Sequence, residues 1–531
     1  MHHCLTKALA TATAAAITLL PVAPVFGHDR DDFETRTPIK HLVVIFQENI
    51  SLDHYFGTYP HAAKNNDGSR FFFGPKDDTP HANTLEAAGL LTNNPNGVNP
   101  FRIDRSNAVT CDEDHAYGDE QFAFHAGLMD RFVGTLPNGK PFSCNDKNLG
   151  PNSTLGYFDG NTVTALWNYA QHFALSDNSF GTTFGPSTPG LLNLVAGNTF
   201  EGTIMNGKSG AGNIAGGGSH GAVVGDPDPS GDVCSAVGRA QISMSGQNIG
   251  DVLSKAGITW GSFMGGFALN VTNSDGSTGC ARTSTGLSGK TGDYIPHHAF
   301  FQYWTSTLNA NHTRPTSAAM IGHNGDAANH EYDLIDFWAA IAAHNMPAVS
   351  FLKAPAIQDG HAGYSNPLDE QTFLVNTING LQKTDEWKET AVIVMYDDSD
   401  GWYDHVMGPI VKQSNVTDDQ LVAPGSCGSP KANDVSGGTQ NGRCGYGPRL
   451  PLLVISPYAK RNYIDHSVTD QSSVTRFIED NWGVSRIGGG STDAIAGTLN
   501  GMFDFDDRAK ADKLILDPTT GQAVSSDSDE D

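Results

Sequence analysis

Positive charge is scarce in this sequence. Lys and Arg number 32 against 58 Asp and Glu, a formal charge of −26 over 531 residues. Binding to nucleic acid draws its affinity from clustered cations that displace counterions, so the balance argues against a nucleic-acid partner. It equally disfavours adsorption to anionic lipid. No Cys-x-x-Cys occurs, which removes the usual zinc-ribbon and redox motifs. The Walker pattern is missing too: Gly185 and Gly190 have the right gap, but Leu191 stands where the lysine belongs. An EF-hand placed on Gly401 would put Tyr396 first and Met407 last, neither a calcium ligand. Beyond the N-terminus there is no apolar run of about eighteen residues or more, so no stable membrane anchor is expected.

Residues 1–27 read as a secretory signal. Lys7 supplies a weak basic start, "ALATATAAAITLLPVAPV" the apolar stretch, and Gly27 a small residue before the polar "HDRDD". Pro21 and Pro24 interrupt the stretch and speak against a membrane span. An exported, periplasmic or secreted protein follows. Six cysteines remain after the signal, an even number that favours disulfides in an oxidising compartment. Sequence does not choose among the possible pairings; chain order suggests 111–144, 234–280 and 427–444.

Strands alternate with helices along the chain. Apolar runs at 43–46, 347–353, 390–396 and 450–459 read as buried strands. Helical spacing marks 161–175, 332–346, 368–382 and 472–482, with Asn161 as an N-cap of the first. The pattern predicts an α/β fold, a mostly parallel central sheet with helices on both faces. Residues 203–235 are rich in Gly and Ser and read as a surface insertion within a domain spanning 28–510. The acidic tail, 511–531, reads as disordered.

Two of the strands end in polar groups. "VVIF" runs into Glu48 and Asn49, and "VIVMY" into Asp397 and Asp398. Ligands in open α/β sheets bind outside the carboxyl ends of strands, so the two ends can meet at one edge. Three carboxylates that close stay ionised only beside a cation. The all-oxygen set predicts one divalent ion: Mg, Mn or Ca, with Fe or Zn possible. Read alone, Asp397–Asp400 is equally a solvated acidic turn. In "FGPSTPGLLNLVAG" Ser187 stands at the mouth of a helix expected to begin near Pro189, where backbone N–H groups favour an anion. Beside a cation such a hydroxyl can serve as a nucleophile; in isolation it is an ordinary N-cap serine. His115, His297, His298 and His361 recur in polar, aromatic-flanked stretches suited to phosphate binding or proton donation.

Taken together the motifs resemble the phosphoesterase family of bacterial phospholipases C and acid phosphatases, similar in fold to the alkaline phosphatase superfamily. The chain has "ENISLDHYFG" (48–57) for the family's ENRSFDHYFG, "YDDSDGWYDHV" (396–406) for its second signature, and "GPRLPLLVISPYAK" (447–460). The resemblance implies a three-layer α/β/α sandwich. It implies a metal held by Glu48, Asn49, Asp397, Asp398 and Ser187. Ser187 would form a phosphoserine intermediate, and His115, His297, His298 and His361 would line the phosphate pocket. Substrates would be small phosphate esters or phospholipid headgroups. The phospholipases tend to show GPTNPNR around a threonine where this chain has "GPSTPGLL", and His-Pro where it has His361-Ala362. Those departures favour an acid phosphatase, with a phospholipase C as the alternative. A metal-independent serine esterase and a non-catalytic, calcium-stabilised surface protein are the readings from other classes.

Overall fold

A strand whose successive residues point to opposite faces can be wholly buried only if both faces of its sheet are covered. Leu42 through Gln47 and Thr390 through Tyr396 meet that condition, with every residue buried. In the computed structural model, which describes residues 34–428, 440–506 and 513–524, these two runs pair in parallel at the centre of an eight-stranded sheet. In chain order its strands are β1 (His41–Gln47), β2 (Ala174–Ser176), β3 (Trp260–Met264), β4 (Glu331–Asp333), β5 (Val349–Lys353), β6 (Thr390–Tyr396), β7 (Leu452–Ile455) and β8 (Tyr463–Asp465). Across the sheet they lie in the order β4-β3-β5-β1-β6-β7-β2-β8. All run in one direction except β7, which is antiparallel to both β6 and β2. This is the mostly parallel α/β/α sandwich expected.

Besides α1 (Leu52–Phe56), α2 (Tyr117–Phe124) and α6 (Leu334–Ala342), the helices form two packed groups. One joins α4 (Ser187–Ala196) to α5 (Ile249–Ala256) and α8 (Ser472–Trp482); the other joins α3 (Thr164–His172) to α7 (Pro367–Gln382). α4 is buried on every side, as its apolar sequence requires. α3 starts at Thr164 behind Val163, without a side-chain cap. Asn161 is therefore not its N-cap. The Asn161 side-chain oxygen accepts from the N–H groups of Phe71 (2.7 Å) and Phe72 (3.0 Å) and ties down a distant loop instead. Residues 332–346 split, with 331–333 in β4 and Leu334–Ala342 forming α6.

The Gly/Ser-rich stretch, expected as a surface insertion, is largely exposed over 205–220 but carries order of its own. Gly202–Ile204, His220–Gly221, Asp228–Pro229 and Gln241–Met244 form a second, four-stranded sheet; Asp228 in it and Asp232 just beyond its strand are buried. Residues 513–524 of the acidic tail are also ordered. Asn379 and Gln382, three apart on one face of α7, each donate to and accept from the extended backbone at Leu516 and Leu514 (2.7–3.1 Å), and Leu516 is buried. Polar composition around 517 masked that short apolar anchor. The signal sequence at 1–27 lies outside the described residues. Among the described residues no helix is long and apolar enough to cross a membrane. All three suggested disulfides form, Cys111–Cys144, Cys234–Cys280 and Cys427–Cys444.

The second halves of both signature motifs serve the scaffold. Asp53, from the short helix α1 (Leu52–Phe56), and Asp404 both face the fully buried guanidinium of Arg449, at 3.2 and 3.0 Å. His405 Nδ1 lies 2.6 Å from the other Asp53 oxygen. Burial would raise the Asp53 carboxyl, but the charges of His405 and Arg449 hold it below its usual value. The cluster fastens the segments after β1, after β6 and before β7. Replacing Arg449 with Met leaves two buried carboxylates without their shared cation. The expected cost is about 3–5 kcal/mol of stability, read as a lower urea midpoint.

Candidate active site

β1 and β6 pair in register, Gln47 opposite Tyr396, so the residues after each strand emerge side by side. Asn49 then takes a left-handed conformation (φ 59°), which asparagine tolerates, and the chain turns back across the sheet edge. In that turn the Asn49 N–H donates to Asp397 Oδ1 (2.7 Å) and the Ile50 N–H to the Asp398 carbonyl (2.9 Å). α4 approaches the same edge end-on. A Cβ at Gly190 would lie 2.4 Å from the Asp397 carbonyl oxygen, so the glycine is what lets the helix close on the strand end.

Ser187 is the first residue of α4, two positions earlier than the expected start at Pro189. Its hydroxyl donates towards Glu48 Oε2 (3.0 Å), with Asp398 Oδ2 at 3.3 Å and Asn49 Oδ1 at 3.5 Å. All four residues are buried, and so is Asp397. The predicted set of Glu48, Asn49, Ser187, Asp397 and Asp398 is thus one cluster. Burial, with Asp397 close by, pushes the Glu48 and Asp398 carboxyls well above their usual range. Asp397 goes the other way. Burial is outweighed by the charge of Lys353, by neighbouring Glu48 and by hydrogen bonds from the N–H groups of Asn49 and Asp398, and its carboxyl is lowered.

A buried oxygen without a hydrogen-bond partner is uncommon and asks for an explanation. Asp397 Oδ2 is such an atom. With the Glu48, Asn49, Asp398 and Ser187 oxygens it makes a set of oxygen donors whose chemistry fits a hard divalent cation.

The histidines divide. His361 Nδ1 donates to the Ala362 carbonyl (2.6 Å), and burial lowers the ring to about 4, so it is neutral. Its Nε2 accepts from Asn49 Nδ2 (3.2 Å), whose second hydrogen goes to Asp400 Oδ1 (3.0 Å). His361 and Asp400 thereby fix the amide so that its oxygen faces Ser187. Burial would also depress His115, but Asp400, Asp112 and Asp226 lift it to about 9, a cation at neutral pH. His298 Nδ1 lies 3.2 Å from Glu48 Oε1, and burial with His297 and Lys353 keeps it well below its usual value. His297 is turned outward, 3.6 Å from Asp228 of the small sheet.

Four participants escaped the sequence reading. Lys353 ends β5 and pairs with Glu48 Oε1, supplying the fixed positive charge of the cluster. The signal was present: a charge at the end of an apolar strand, as at Glu48. Asp359 accepts from the His361 N–H (3.0 Å), and its carbonyl accepts from the Glu48 N–H (2.9 Å). Asp400 sits inside a quoted motif. Asp226, in the Gly-rich stretch, accepts from the Thr188 N–H (2.9 Å) and carried no recognisable signal. A cavity of about 600 Å³ opens here, walled by Asp112, His115, Lys140, Pro186 and Asp226. The Cys111–Cys144 bridge ties its rim.

A parallel sheet edge carrying a buried hydroxyl among carboxylates is the arrangement of a hydrolase centre. Residues 39–485 match the Phosphoesterase family, and the chain belongs to that family. It is 25% identical over 476 residues to a non-hemolytic phospholipase C of Pseudomonas aeruginosa, covering 88% of this chain and 57% of that protein. It is 24% identical over 486 residues to phospholipase C B of Mycobacterium tuberculosis, covering 88% of this chain and 78% of the relative. The chain therefore spans little more than half the length of the Pseudomonas relative. Among solved structures, an alkaline phosphatase superfamily protein of Vibrio parahaemolyticus aligns over 86% of this chain and 71% of its own, at 11% identity and a TM-score of 0.30. Murine ectonucleotide pyrophosphatase/phosphodiesterase 5 aligns over 63% and 93%, at 11% identity and a TM-score of 0.29.

Exchange of Gly190 for Ala tests the geometry. In an ordinary helix interior the change adds stability. Here the methyl group meets the Asp397 carbonyl, and a loss of about 2 kcal/mol is expected, seen in a denaturant titration together with reduced turnover.

Proposed function

We propose that the protein is an exported phosphoester hydrolase in which Ser187 is the nucleophile and Glu48, Asn49, Asp397, Asp398 and Ser187 hold one divalent cation. The observation that carries the reading is the Ser187 hydroxyl, buried at the start of α4 within 3.5 Å of oxygens from Glu48, Asn49 and Asp398. The three disulfides fit an oxidising destination. A bound cation would take up negative charge from the phosphoryl oxygens and from Ser187 as its proton leaves. The residues do the rest. Ser187 Oγ directs its proton at Glu48 Oε2 and attacks phosphorus in line. The leaving alcohol departs with the bonding electrons and gains a proton from His115, the charged imidazole at the cavity wall. Water, giving a proton to the now neutral His115, attacks the phosphoserine, and Ser187 Oγ leaves with the bonding electrons and regains its proton from Glu48. His361 orients Asn49, and His298 and Lys353 orient Glu48. His297, beside Asp228, stands outside this set.

For the substrate, the relatives favour a phospholipase C over the acid phosphatase that the Ser187 context suggested. The carboxylate of Asp112 at the cavity wall also suits a cationic headgroup such as phosphocholine. Turnover of p-nitrophenyl phosphorylcholine and of p-nitrophenyl phosphate, each with and without a chelator, tests both levels. The expected result is preference for the phosphorylcholine ester, dependence on metal, and a loss of at least about a thousandfold in Ser187→Ala. Preference for the monoester would return the protein to the phosphatases. Full activity in Ser187→Ala would remove the nucleophile.

A further inference from the structure

An anion bound at the start of a helix is held by N–H groups that have no partner within the helix. α4 has few to offer. Pro189, its third residue, has no N–H, and the Thr188 N–H is already taken by the Asp226 carboxylate at 2.9 Å. Asp226 is not there by accident of a mobile loop. It lies between the His220–Gly221 and Asp228–Pro229 strands of the small sheet. Arg239 braces the turn by donating to the Asp226 carbonyl and pairing with Asp228 (3.3 Å), which leaves its charge on Asp228 and not on the Asp226 carboxylate. The same carboxylate lines the cavity beside Pro186 and His115 and acts electrostatically on both His115 and Asp398.

A phosphoryl group in line with Ser187 comes to rest beside Thr188, the next residue, and so beside a fixed negative charge. The repulsion scales with the charge on that group. A phosphomonoester carries nearly two negative charges above pH of about 6, whereas a diester carries one. Resting on the phosphoesterase reading above, we propose that Asp226 is a specificity-determining residue that disfavours dianionic phosphomonoesters relative to monoanionic phosphodiesters.

Exchange of Asp226 for Asn is the test. The amide oxygen still accepts from the Thr188 N–H and the shape is kept, but the charge is gone. kcat/KM is measured at pH 8 for p-nitrophenyl phosphate, bis(p-nitrophenyl) phosphate and p-nitrophenyl phosphorylcholine, with Asp226→Glu and Ser187→Ala alongside. The monoester-to-diester ratio should rise about tenfold in Asp226→Asn and stay low in Asp226→Glu, which keeps the charge. An unchanged ratio, with turnover still dependent on Ser187, overturns the role of Asp226 and leaves the phosphoesterase reading standing. A loss confined to the phosphorylcholine ester also overturns it, by assigning Asp226 to the headgroup. Turnover that survives Ser187→Ala in every substrate sinks the underlying reading instead.

Discussion

The carboxylates of Glu48, Asp397, Asp398 and Asp400 are all buried in one cluster, and like charges held so closely repel. The rest of the site depends on how that repulsion is contained. Lys353 places one fixed cation against Glu48, and backbone N–H groups of Asn49 and Asp398 converge on Asp397. Asn49 hands one amide hydrogen to Asp400 and presents its oxygen to Ser187. What remains uncompensated is the burial of Glu48, Asp398 and Asp400, whose carboxyls are driven up. Stability has been given up at this edge for a preorganised set of oxygens, and the strain is local to the function.

The cost is carried by the scaffold beneath. The parallel register of β1 and β6 is determined by apolar side chains buried on both faces, so the polar ends cannot slide apart without exposing the core. A few residues away, Arg449 and His405 join Asp53 and Asp404 in a second buried cluster of opposite design, with its charges matched within the protein. The two clusters sit on the same chain turns. One is closed and holds the turns together; the other is left short of positive charge.

Much of this was legible in the residues. Continuous apolar runs ending in Glu48-Asn49 and Asp397-Asp398 located the strands, their burial and the edge where they meet. Ser187 was legible through its proline-glycine context, although the helix begins two residues sooner because Pro186 already adopts the flanking conformation. What could not be read came from segments without periodicity. Asp226 and the small sheet were hidden because glycine and serine give no apolar alternation to mark their short strands. Asn161 looked like a cap because caps are local, whereas its actual partners lie about ninety residues away at Phe71 and Phe72. His297 and His298 are adjacent in sequence but face different neighbours, which spacing alone does not distinguish.

β6 and β7 are neighbours and antiparallel, so the chain between them, residues 397–451, leaves the sheet edge that carries Asp397 and returns to it. Loop closure grows only logarithmically with length. That excursion can therefore lengthen or shorten over evolutionary time at little cost to strand pairing. Its two ends, Asp397 and Arg449, are pinned by the two charge clusters, and the Cys427–Cys444 bridge shortens its free contour. Divergence in the middle of this stretch can proceed while Asp397 and Asp398 at its start and Arg449 near its end stay where they are.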